Sequence, residues 1–321
     1  MRKRLVHYLI ILAVIVVMNF FLPRMMPGSP LKSLAGENPG DLTAAEKMGI
    51  LEAYHLNDPL PVQFVSYLKD LFTFRWGDSY VKRQPIASLI ASRAGWTLLL
   101  AGSGMVLSAV IGTGLGAWSA FGRKKKRDMP VLLTTTVISS MPPFWIAVLL
   151  LAVFGVRLKW FPIYGAYSMW GAYTGIAKIL DTCRHLFLPL VTLVLASLMS
   201  FFTTSRYATL KILEEDYVKM ARLRGISGKR VVFCYVIRNT LIPVFTLFMM
   251  DIGYLLSGSV VIETVFSYPG LGTLMREAVM ARDYPLMQYT FLLSSVLTVA
   301  ALFLADVLYS RLDPRMEVGR G

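Results

Sequence analysis

Six apolar stretches, at roughly 5–23, 94–121, 129–156, 186–206, 239–263 and 287–309, constrain this sequence more than any other feature. Each approaches or exceeds the ~20 residues that a helix needs to cross a bilayer. Only 16% of the residues are charged and 55% are hydrophobic, against about 25% and 45–50% in a soluble domain. A soluble fold cannot cover that much apolar surface, so lipid is the expected solvent. The run from Leu5 to Leu22 follows Arg2, Lys3 and Arg4. It ends in Pro23-Arg24-Met25-Met26-Pro27, not in a small-residue cleavage site, and is read as a retained first helix.

The loops carry the orientation signal. Three Lys/Arg precede the first stretch, five form the run Arg123 to Arg127, eight fall in 206–238 and three follow 309. The loops 157–185 and 264–286 carry four and two. The positive-inside rule therefore predicts that both termini, the 122–128 loop and the 206–238 loop are cytoplasmic. The net charge of +14 then faces lipid headgroups, and nucleic acid is not an expected partner. Cys183 and Cys234 fall in loops expected on opposite sides, so no disulfide is predicted between them.

The predicted organisation is an all-α polytopic membrane protein with about six transmembrane helices. Residues 1–23 hold the N-terminus and first helix, and 24–93 a small extracytoplasmic helical cap. Residues 94–309 form a five-helix core with a loop at 207–238, and 310–321 a cytoplasmic tail. In the cap, Pro27-Gly28-Ser29-Pro30 and Asn38-Pro39-Gly40-Asp41 are turn clusters. Thr43 and Glu46 form a capping box for a helix at 44–55. Val62 to Phe74 reads as amphipathic, with Phe64, Val65, Leu68, Leu71 and Phe72 on one side.

The most informative loop segment is Glu214-Glu215-Asp216-Tyr217-Val218-Lys219-Met220-Ala221-Arg222-Leu223-Arg224-Gly225. Asp216 suits the N-cap of a short helix, and Arg222 and Arg224 its negative C-terminal end. Gly225 suits the left-handed residue that stops it, and Ser227 a cap for a second segment, 228–238. A solvated loop that merely obeys the charge rule is the competing reading.

This segment, with Ile237-Arg238-Asn239-Thr240-Leu241-Ile242-Pro243 after it, resembles the coupling loop of ABC-importer permeases of the dipeptide/oligopeptide/nickel branch. Pro27 to Pro30, Leu56-Asn57-Asp58-Pro59 through Phe64, and Trp76-Gly77-Asp78-Ser79 with Pro85 match the same branch. So do Glu263-Thr264-Val265-Phe266-Ser267-Tyr268-Pro269-Gly270-Leu271-Gly272 and Arg282-Asp283-Tyr284-Pro285. In the broad importer motif Glu-Ala-Ala-x-x-x-Gly, Ala221 and Gly225 match, while Lys219 and Met220 replace the Glu and the first Ala. Asp216 is then the substitute acidic contact.

The resemblance implies a pore-forming subunit with no catalytic residues of its own, in a bacterial cytoplasmic membrane. Its partners would be a second homologous permease, two ATP-binding subunits carrying ATP and Mg, and an extracytoplasmic solute-binding protein. Asp216, Tyr217, Met220, Ala221, Arg222, Arg224 and Gly225 would meet the ATPase. Di- or oligopeptides are the expected substrates, with nickel or a metal chelate as the alternative. A self-contained secondary transporter is a further alternative, which would favour internal pseudo-symmetry and paired broken helices.

Within the spans, two readings fit Asp251: it lines the pathway, or it pairs with a polar neighbour to hold the bundle. Glu263 and Asp306 are expected at the interfaces. Met141-Pro142-Pro143-Phe144 interrupts the third span, as a hinge or a static kink at Pro142 and Pro143. Gly112, Gly114 and Gly116 suggest close helix packing. Gly228-Lys229 lacks the rest of a phosphate-binding loop, so ATP is expected on separate chains. His7, His55 and His185 are scattered, so neither metal binding nor a cofactor is expected in this chain.

Overall fold

The computed structural model describes residues 2–25, 57–123, 128–168 and 173–312, with Thr43, Met48, Glu52 and Gly171. The turn clusters at 27–30 and 38–41, the capping box with Glu46, the helix expected at 44–55 apart from Met48 and Glu52, residues 124–127 and the tail beyond 312 lie outside the described residues. The helices are α1 (Arg2–Met25), α2 (Leu60–Phe72), α3 (Ile86–Phe121), α4 (Asp128–Ser139), α5 (Pro143–Leu150) and α6 (Gly175–Leu213). They continue with α7 (Asp216–Leu223), α8 (Arg238–Val265), α9 (Leu271–Ala281) and α10 (Tyr284–Leu312). A wider π-helical turn, Leu151–Arg157, extends α5, and another, Val231–Ile237, leads into α8. Among the described residues the β pairing amounts to one antiparallel bridge, Asp78 to Pro85.

Five segments are long and apolar enough to cross a membrane: Leu5–Met25, Ile86–Phe121, Gly175–Leu213, Gly228–Ile252 and Tyr284–Val307. The pair α4 and α5 makes a sixth when counted as one span. This is the expected all-α polytopic fold. The helices outrun the apolar stretches because an α-helix satisfies its own backbone whatever surrounds it. So α3 begins at Ile86, not near 94, and α6 covers Gly175–Leu213, not 186–206. Cys183 and Cys234 consequently lie on helical turns, not in loops, and both are exposed free thiols.

The chain divides into two compact units, one within Met1–Gly95 and Pro269–Val299, the other within Trp96–Tyr268 and Ala300–Gly321. In the first, α2 follows Pro59, whose lack of an N–H is harmless ahead of a helix. Phe64, Leu68 and Leu71 of α2 pack against a core holding Phe20, Tyr67, Ile86, Leu274 and Met287. Val65 and Phe72, expected on the same side, are 65% and 77% exposed. Burial pushes the Tyr67 hydroxyl above its ordinary pKa. Two sequence motifs meet here. Asp283 of Arg282-Asp283-Tyr284-Pro285 accepts from Ser79 Oγ at 2.5 Å, from Val81 N–H at 3.1 Å and from Leu286 N–H at 3.2 Å. The last bond caps α10. The first two tie Asp283, 1% exposed, to the segment after Trp76.

In the second unit, α3 lies close against α6. Small residues recur every fourth position along α3 at Gly104, Ser108, Gly112 and Gly116. A Cβ at Gly112 would stand 2.7 Å from the Phe201 Cβ, and one at Gly104 or Gly116 would collide with Leu193 or with the Phe202 carbonyl. Gly114 faces open space and takes no part in the contact. Ser205 Oγ of α6 donates to the Thr113 carbonyl at 2.9 Å. Arg206 of α6 grips Asp128 through Nε–Oδ1 at 2.7 Å and Nη2–Oδ2 at 2.5 Å, and Ser119 Oγ donates to the same carboxylate. Glu263 was expected at an interface. It lies near the end of α8, is fully buried and accepts from Thr97 Oγ1 at 2.7 Å and Ser259 Oγ at 3.1 Å, which lets a carboxyl sit inside the helices.

Between α4 and α5 the chain turns by 95°. Pro142 stands before Pro143, so its backbone is held extended, φ −57° and ψ 142°. Neither proline offers an N–H to α4. Ser140 Oγ donates instead to the Thr136 carbonyl at 2.8 Å, helping to close the end of the helix. The break is therefore a turn between two short helices, larger than the kink the sequence suggested.

These contacts predict two outcomes. Asp283→Ala should lower stability by about 2–4 kcal/mol, since three donors lose a buried charged acceptor, and should cost more than Ser79→Ala in thermal unfolding of the detergent-purified protein. Gly112→Leu should prevent the approach of α3 to α6, read as a marked loss of folded protein on size-exclusion chromatography, whereas Gly114→Leu should leave it intact.

Candidate coupling helix and membrane cavity

The segment 214–238 folds into a compact element. Glu215, with extended backbone, occupies the N-cap position of α7, and no side chain caps the helix. Asp216, expected to cap, is instead the first helical residue. Its carboxylate still suits the positive end of the helix. Lys219 Nζ binds it at 2.9 Å, with side chains 59% and 94% exposed, a pairing worth little in water.

The other end of α7 follows the expectation closely. Gly225 has φ +71°, a conformation in which most side chains are strained. Its N–H donates to the Arg222 carbonyl at 3.0 Å, and the Ile226 N–H to the Ala221 carbonyl at 3.2 Å. This pair of bonds is a Schellman stop. Ser227 takes the next N-cap position, again without a side-chain bond, and the chain is helical from Gly228 through Val265.

The apolar residues of α7 split by period. Val218 and Ala221, three apart, are 0% and 4% exposed. They pack with Val231 and Val236, and Phe121, Ile212, Leu213 and Ile226 close the cluster. Burying a side chain such as Val218 contributes roughly 1.5–3 kcal/mol. The opposite side presents Tyr217, Met220 and Leu223, of which Leu223 is 80% exposed. Arg222 and Arg224 are also exposed. So Ala221, expected to face outward, belongs to the inner cluster. Leu223, read in the sequence as apolar surface of the segment together with Val218, Met220 and Ala221, faces outward, as its spacing from Tyr217 and Met220 signals. Asn239, at the start of α8, donates to the Tyr217 hydroxyl at 3.2 Å and to the Tyr235 carbonyl at 2.7 Å.

Asp251 lies in the middle of α8. It lines a cavity of about 300 Å³ with Ala101 and Met105 of α3, Pro143 of the break, Ser197 and Ser200 of α6, and Ile262. Pro143 thus shares the cavity with Asp251, while Pro142 is the extended residue ahead of it. Among the described residues Asp251 has no hydrogen-bond or ion-pair partner, and the Ser197 and Ser200 hydroxyls donate to nothing. The pairing reading of Asp251 therefore finds no neighbour to pair with among them. No group of three or more potential metal-binding side chains occurs among the described residues.

The chain is a polytopic all-α protein with a short, internally packed helix between two long spans. Residues 112–318 match the family of binding-protein-dependent transport system inner membrane components, and the chain belongs to that family. It is 33% identical to the oligopeptide transport system permease protein AppB of Bacillus subtilis, over 96% of this chain and 95% of that one. It is likewise 33% identical to the glutathione transport system permease protein GsiC of Salmonella choleraesuis, over 98% and 97%. Its fold is shared with the MetNI methionine ABC transporter in inward-facing conformations, at a TM-score of 0.58 and 15% identity over 72% of this chain and 99% of that one. The protein is thus a multi-pass inner-membrane permease subunit of an ABC importer.

The two sides of α7 should respond differently to the same change. Ala221→Asp places an unpaired carboxylate in the Val218 cluster, at a cost of about 3 kcal/mol or more, and should expose the 214–238 loop to protease. Met220→Asp, on the outer side, should leave the protease pattern unchanged.

Proposed function

We propose that the chain is one half of the membrane pore of a peptide importer, moved by ATP hydrolysis on separate subunits. The observation that carries the reading is the outer side of α7. Tyr217, Met220, Leu223 and the arginines 222 and 224 form an exposed face on an element whose own core is already filled. An ordinary solvated loop needs no such packed support. A short helix held rigidly from behind is suited to sit in a groove of an ATPase and to follow its movement.

In this reading both termini and α7 face the cytoplasm, and two ATP-binding subunits hold ATP and Mg. A second homologous permease completes the pore, and a solute-binding protein delivers the substrate from outside. Gly225 contributes by ending α7 sharply, and Asp216 by its charge at the start of the helix. Substrates are di- or oligopeptides, supported by relatives named for oligopeptide and glutathione transport. The cavity at Asp251 and the break at Pro142 and Pro143 lie on the pathway.

Two measurements test this. In cells carrying the complete importer, labelled peptide should be taken up and nickel should not; the reverse would overturn the substrate assignment. Leu223→Asp should leave the protein inserted at normal level, reduce uptake by about tenfold or more, equivalent to some 1.4 kcal/mol, and leave ATP hydrolysis unstimulated by loaded binding protein. Normal uptake by this variant would remove α7 as the coupling element.

A further inference from the structure

We propose that Asp251 is the subsite that receives the α-ammonium group of the passing peptide, with the Ser197 and Ser200 hydroxyls beside it; this rests on the peptide reading above. The argument starts from charge. A carboxylate within a span is costly unless something answers it. The stretches 94–121, 129–156, 186–205, 239–263 and 287–309 contain no Lys or Arg. Arg206, just beyond one of them, is already held by both oxygens of Asp128. Among the described residues nothing neutralises Asp251, which leaves its charge available to a passing ligand.

The cavity narrows what that charge belongs to. The polar side chains on its walls are Asp251, Ser197 and Ser200. One carboxylate and two hydroxyls suit an ammonium, which brings three N–H donors and no acceptor. They make a poor cage for a bare divalent cation, which takes six or so oxygens and the charge of several carboxylates. A volume of about 300 Å³ is at the lower end of ligand pockets. It admits the end of a peptide, not a long one. The amino terminus is the feature that peptides share whatever their side chains, so one acid here reads the class without reading the sequence. Pro143, at the break, forms another part of the wall, where irregular backbone is tolerated because it borders the cavity.

The test compares wild type, Asp251→Asn and Asp251→Glu in cells carrying the complete importer. Uptake of alanyl-alanine and of its N-acetyl form is measured, together with the amount of assembled complex. Wild type should prefer the free amine. Asp251→Asn should reduce alanyl-alanine uptake about tenfold, the loss of one charge-assisted hydrogen bond, and bring the ratio of the two substrates towards one. Asp251→Glu should retain the preference. An unchanged ratio in Asp251→Asn would assign the discrimination elsewhere and overturn the proposal. Loss of the partner permease from the purified Asp251→Asn complex would overturn it too, by assigning Asp251 to pairing between subunits. Wild type that takes up neither substrate would overturn the peptide reading, and this assignment with it.

Discussion

Inside a bilayer there is no water to complete a broken hydrogen bond, and the remaining features of this protein are arranged around that fact. The long helices α1, α3, α6, α8 and α10 satisfy their own backbones. The interruption between α4 and α5 would be untenable against lipid, and it borders a cavity. Polar side chains follow the same rule. Glu263 is met by Thr97 and Ser259, and Asp128 by Arg206 and Ser119. Asp251 departs from the pattern among the described residues, lining the cavity without a hydrogen-bond partner there.

Helix packing in lipid draws on close contact more than on the hydrophobic effect, which makes small residues the efficient choice. Gly104, Ser108, Gly112 and Gly116 bring α3 within backbone reach of α6. The contact holds together the two helices that also supply most of the cavity wall. The packing stripe and the cavity wall therefore share the same two helices.

Much of this was legible in the sequence, and the reasons differ by element. The spans were legible because lipid imposes length and apolarity on every one of them. Their ends were not, since polar residues such as Arg93 and Asp181 remain within helices that continue past the hydrocarbon. The left-handed stop at Gly225 was readable from residue type alone. The orientation of Ala221 was not, because a small residue fits equally against a partner or against its own loop. Leu223 was readable in principle from its three-residue spacing. The burial of Glu263 was not legible, because hydrogen bonding from Thr97, 166 positions away, is invisible to any local pattern. The meeting of Ser79 with Asp283 was hidden for the same reason, although both motifs had been noticed.

The continuous helical run from Gly228 to Val265 has a mechanical consequence. The Tyr217–Asn239 hydrogen bond fastens α7 to the base of that run, and Asp251 stands three turns further along. Pro243 lies inside this stretch, and the distance from Asn239 to Asp251 is roughly 20 Å at 1.5 Å per residue. If α7 follows an ATPase as proposed, movement at the foot of this helix would reach Asp251 along the same element. On the proposal that Asp251 receives a ligand's ammonium, the receiving charge and the driven helix would then be joined through one length of backbone.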